Sequence, residues 1–100
     1  MPCEGGTKPL EESEVAKYIT LLKTPWHVLD EGKKIEKLYK FKDFKLAMRF
    51  VNKVADLAED EGHHPDIAVS YNKVRITLAT HAIGGLSTND FIIASKIELI

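Results

Sequence analysis

Two histidines stand side by side before a proline, His63-His64-Pro65, and a third, His81, follows 17 residues after His64 in "TLATH". Imidazole is the only side chain whose ordinary pKa, about 6.5, lets it give and take protons near neutral pH. Adjacent residues point in different directions, so the pair offers two imidazoles with different jobs. Pro65 fixes its own φ and presses His64 toward extended backbone. The pair lies between a helical and a strand pattern, on the kind of connector that often displays functional groups. A solvated surface is the plain alternative for any one of them. A metal site is the other, but the zinc spacings are missing: there is no H-x3-H on a helix and no C-x2-C, and the single Cys is Cys3. We expect no metal and no other cofactor.

The spacing extends beyond the histidines. From Glu59 there are three residues to His63, then five between Pro65 and Tyr71, nine before His81 and eight before Asp90. With "YNKV", "ITLATH" and "GLSTND" between these points, the series resembles the pterin-4a-carbinolamine dehydratase family. The resemblance runs from about Trp26 to the C-terminus. Pro25 stands where such proteins often have Gly, and Ile83 and Gly84 fall where they vary; neither touches the motif.

The resemblance implies dehydration of a 4a-hydroxytetrahydropterin, such as 4a-hydroxytetrahydrobiopterin, to the quinonoid dihydropterin and water. That step delivers one proton to the leaving oxygen and removes one from N5. It needs no redox cofactor and no covalent nucleophile. By the same resemblance His63 and His81 carry the proton transfers, which of them is acid and which base staying open, while His64 binds the pterin. Glu59 and Asp90 support. Asp90 also has capping spacing with Ser87, and Glu59, Asp60 and Glu61 read equally as a solvated helix end. Trp26 either walls the pocket or packs in the core; Tyr71 reads as structural.

Elements must bring these positions together. The spacing predicts a helix over 9–23, with Val15, Tyr18, Ile19 and Leu22 on one face, stopped by Thr24-Pro25. "WHVLD" and "KIEKLYKF" flank a turn at Gly32. Asp43 caps a helix over 43–61, stopped by Gly62. Its expected stripe is Phe44, Ala47, Met48, Val51, Val54, Ala55 and Ala58, widened by Leu46, Phe50 and Leu57. That width suggests a second packing partner. "DIAVSY" and "VRITLAT" form a second hairpin. Val74, Ile76, Leu78 and Thr80 share its core face; Arg75, Thr77, Ala79 and His81 share the other. A last helix runs from Ser87 to 100. The expected class is α+β, in the order α-ββ-α-ββ-α: an antiparallel four-stranded sheet with helices packed on one face.

One hundred residues make one domain, expected over 9–100 behind a flexible tail at 1–8. Net charge −1 and a pI near 6.4 give no general attraction to nucleic acid or anionic lipid. No apolar run approaches the roughly 18 residues of a membrane helix, and "MPCEGGTKP" lacks a signal-peptide core. A lone Cys fits a reducing compartment, so a cytoplasmic protein is expected, with a nuclear location open. A homodimer or homotetramer is expected from the wide helix face, exposed strand edges and the resemblance. The alternative function is an interaction module, such as a dimerisation cofactor of a transcription factor, or a pterin-binding protein with altered substrate.

Overall fold

The structure, a computed structural model, describes residues 9–80 and 83–100; the expected tail at 1–8 lies outside them. Asp43 opens the longest helix, α2 (Phe44–Glu61), by accepting the Leu46 N–H at 2.9 Å. Gly62 ends it in the left-handed region at φ 65°, a conformation that costs glycine little. Two hairpins flank this helix. β1 (His27–Leu29) and β2 (Lys34–Lys40) precede it; β3 (Asp66–Ser70) and β4 (Lys73–Leu78) follow. α1 (Glu12–Ile19) and α3 (Thr88–Ile97) complete the order α-ββ-α-ββ-α. All strand pairings are antiparallel, in the order β1-β2-β4-β3, so the sheet's edges are β1 and β3.

Register puts Ile35 opposite Leu78, and places Ile76 between Lys37 and Ile67. Ile35, Val74, Ile76 and Leu78 are fully buried, so one sheet face is the core face. Burying each such side chain contributes about 1.5–3 kcal/mol. The core face expected for β4 is therefore observed, with Thr80 nearly buried at its end. The opposite face carries Glu36, Arg75 and Thr77, with Arg75 and Thr77 both contacting Glu36. No described helix is long and apolar enough to cross a membrane.

The expected stripe of α2 needs correction. Ala47, Phe50, Val54 and Ala58 are its buried residues. Phe50 packs against the rings of Tyr39 and Phe41, with centroids 4.5 and 5.1 Å away. Phe44 is half exposed, and Leu46 and Ala55 are exposed. At 3.6 residues per turn these three sit on the flanks of the 47-50-54-58 line, beyond the sheet's reach. The helix thus spends most of its apolar width inside its own chain.

α1 is shorter than its periodicity suggests. Thr20 caps it, turning its hydroxyl back onto the Lys17 carbonyl at 2.7 Å, an interaction that competes with helix continuation. The amides beyond it are captured elsewhere. Glu98, at the end of α3, accepts the N–H groups of Lys23 (3.1 Å) and Thr24 (2.8 Å), the Thr24 hydroxyl, and the Trp26 indole N–H (3.3 Å). Burial pushes the Glu98 carboxyl up, but these donors outweigh it and hold it below the usual carboxylate range. A depressed carboxylate contributes stability above its unfolded pKa, about 4.3, and loses it as pH falls through the lower folded value. Glu98→Gln should therefore melt about 4–8 °C below the parent at pH 7, the equivalent of roughly 1 kcal/mol. The gap should narrow progressively as pH falls below about 4. Thermal denaturation across pH checks this; a gap independent of pH would refute the charged clamp.

Candidate active site

The end of α2 aims the first histidine inward. After Gly62 the His63 N–H returns to the Ala58 carbonyl at 3.2 Å, a helix-ending bond that fixes the backbone of His63. Its side chain is buried, whereas the His64 side chain is 64 % exposed. The adjacent pair thus divides into one inner and one outer imidazole. His64 is partnered by Glu59, one turn back on α2, across an open surface where such pairs are worth little.

His63 Nε2 lies 2.5 Å from Asp90 Oδ1. Asp90 has no exposed surface. It sits in the first turn of α3, where its Oδ2 accepts the Ser87 N–H at 2.9 Å and completes the expected helix cap. The same Oδ2 accepts the Thr80 hydroxyl at 2.7 Å. Burying a carboxylate is costly unless donors compensate it, and here the His63 ring, the Thr80 hydroxyl and the Ser87 N–H do, with Ser87 Oγ at 3.5 Å. Capping and support of the histidine are thus served by one side chain, through its two oxygens.

A charged carboxylate only accepts. An ionised Asp90 therefore assigns the proton shared with His63 to Nε2. The neutral tautomer then carries its lone pair on Nδ1, so one ring nitrogen is fixed in role by the partner of the other. This arrangement suits an imidazole that must cycle between neutral and protonated forms.

A small recess, with room for about one water, adjoins His63 and is lined by Glu61, Asn89, Ile92 and Ile93. Glu61 accepts from Lys96 Nζ at 2.6 Å, joining the ends of α2 and α3 beside it. Trp26 is not among these residues. It is 5 % exposed, with its indole N–H given to Glu98. Its neighbour His27 is exposed on the edge strand β1. Tyr71 is exposed in the turn between β3 and β4, with φ 53°. His81 lies outside the described residues; Thr80, which precedes it, bonds its N–H to the Gly85 carbonyl at 2.8 Å. Among the described residues no three His, Cys, Asp or Glu side chains converge as metal ligands.

Thr80 and Ser87 escaped the sequence reading as site residues. Thr80 was legible only as the last inward position of β4, and Ser87 only as a cap. The available signal was chemical: a hydroxyl at the buried end of an otherwise aliphatic stripe must find a partner.

A sequence model described as "Pterin 4 alpha carbinolamine dehydratase" matches residues 8–100. A protein of Alkaliphilus metalliredigens, provisionally named a pterin-4-alpha-carbinolamine dehydratase, is 46% identical over 98 residues, 98% of this chain and 87% of that protein. A like-named protein of Nitrosospira multiformis is 48% identical over 99 residues, 99% of this chain and 85% of its own. Among solved structures, a transcriptional coactivator/pterin dehydratase from Brucella melitensis superposes with a TM-score of 0.85 at 36% identity, covering 92% of this chain and 97% of that one. Match length, identity and fold agree, and the chain belongs to the pterin 4 alpha carbinolamine dehydratase family.

Proposed function

We propose that this protein dehydrates a 4a-hydroxytetrahydropterin by histidine acid–base catalysis. The carrying observation is the His63–Asp90 pair, a buried, carboxylate-held imidazole at the first histidine of the family motif. In the reaction one proton goes to the C4a hydroxyl, which leaves as water. One proton leaves N5, and its electrons form the C4a=N5 bond. Atoms and charge balance with no electron acceptor. His63 and His81 exchange these two protons, in an order left open. His64, outward and paired with Glu59, binds and orients the pterin. Positioned acid–base groups typically contribute about 10²–10⁴-fold each.

The test is turnover of synthetic 4a-hydroxytetrahydropterin, followed as quinonoid dihydropterin, with no added metal or nucleotide. Activity should persist in excess chelator. Activity lost to chelator and restored by zinc would overturn the mechanism. Absence of turnover would instead favour the interaction reading, for which the similar Brucella melitensis protein, a transcriptional coactivator/pterin dehydratase, is the support. A homodimer or homotetramer belongs to the same proposal, supported by the outer edges of β1 and β3, which no strand pairs among the described residues; a cytoplasmic location is proposed with it from the lone Cys.

A further inference from the structure

Thr80 follows β4, two residues beyond Leu78, buried and bridged to Gly85, one position before His81. Its single hydroxyl proton goes to Asp90 Oδ2 at 2.7 Å, because the carboxylate can only accept. Ser87 Oγ lies 2.8 Å from this hydroxyl and 3.5 Å from Asp90 Oδ2; with the Thr80 proton spent on Asp90, the shorter contact is a donation from Ser87 to Thr80. The resulting order is Ser87 to Thr80 to Asp90, with His63 at the far oxygen. The cap of α3 is a reciprocal pair within Ser87 and Asp90, the Ser87 N–H on Oδ2 and the Asp90 N–H toward the Ser87 side chain, and needs no third residue. The Thr80 hydroxyl is an additional donor, brought from the sheet rather than from the helix. With the Ser87 N–H it gives Oδ2 two anchors from different elements, which together restrain the rotation of the carboxylate about its Cβ–Cγ bond.

We propose that Thr80 is a positioning residue: by occupying Asp90 Oδ2 it reserves Oδ1 for His63 Nε2 and so sets which His63 nitrogen carries the proton. The kinetic consequence rests on the dehydratase reading; the structural consequence does not. Among the described residues, the charged groups beside His63 include Asp90 from α3 and Glu61 at the end of α2, the latter paired with Lys96. Thr80→Val keeps the β-branched shape and touches only the first of these.

The experiment is ¹⁵N imidazole NMR of the full chain across pH, with His63 assigned through His63→Gln, beside steady-state kinetics on the synthetic pterin. In the parent, neutral His63 should be the Nε2–H tautomer. Thr80→Val should give a mixed tautomer and a shifted titration. It should lose about 10–100-fold in kcat, the scale seen when the hydrogen-bond partner that orients a metal-ligating histidine is removed, with KM within twofold. Thr80→Ser should restore both. Ser87→Ala, which leaves the Thr80–Asp90 bond, should move the same signals in the same direction by less, and keeps the test open should Thr80→Val fold poorly. Parent-like His63 signals in Thr80→Val, or no rescue by serine, would overturn the proposal. A tautomer shift in a parent protein without dehydratase activity would refute the function and uphold the role of Thr80.

Discussion

His63→Gln should lower kcat by about 10²–10⁴-fold while moving KM little, the signature of a group that acts only in the transition state. Gln fills much of the same volume and offers Asp90 an N–H, so the buried carboxylate keeps a donor where His63 Nε2 now stands. It cannot accept and release a proton near neutrality. His64→Ala should do the reverse, raising KM more than it lowers kcat, because an exposed imidazole meets the substrate in both ground and transition states. His27→Ala supplies the control, since His27 lies on the exposed edge strand and outside the motif. Initial rates over a range of pterin concentration decide among these. Small and equal losses at His27, His63 and His64 would sink the assignment of separate roles.

The contrast between His63 and His64 was only half legible in the sequence. Adjacency guarantees that two side chains diverge, but not which one turns inward. The decision is made by the left-handed turn at Gly62 and by the return bond from His63 N–H to Ala58, both products of how α2 ends. The caps at Asp43 and Ser87, the strand parity of β4 and the element order were readable, because each follows from local spacing. Phe50 was misjudged for the opposite reason. Periodicity shows that a face is apolar but not how much of it the chain's own sheet will cover. The Tyr39 and Phe41 rings that receive Phe50 come from β2 and the residue just beyond it. The early end of α1 has the same character. Nothing local announces that Glu98, more than 70 positions away in sequence, will take the Lys23 and Thr24 amides. The Asp90–Thr80 bond is likewise a tertiary fact, visible beforehand only as a polar residue where an aliphatic one was expected.

The two jobs of Asp90 can be separated by substitution. Asp90→Ala removes the acceptor for His63 Nε2, the Thr80 hydroxyl and the Ser87 N–H together. Each buried donor left unmade costs about 1–3 kcal/mol, and breaking a buried pair typically costs about 3–5 kcal/mol. That is a large share of the roughly 5–15 kcal/mol that hold a domain of this size folded. Asp90→Ala should therefore lower the denaturant midpoint severely, with activity falling along with the folded fraction. Asp90→Asn is the discriminating change. Its carbonyl oxygen can still accept from Thr80 and Ser87, so the cap survives and stability should fall by only about 1–2 kcal/mol. Its NH₂ then faces His63 Nε2 and must be accepted there, which forces the proton to Nδ1, the wrong tautomer for the proposed proton transfer. The expected loss in kcat is up to about 10⁴-fold, the scale seen when a carboxylate that sets a catalytic histidine's tautomer becomes an amide. Urea unfolding and initial rates on the same two samples supply the measurement. A stable Asp90→Asn protein with parent-like kcat would reduce Asp90 to a helix cap and remove the His63–Asp90 pair from the catalytic argument.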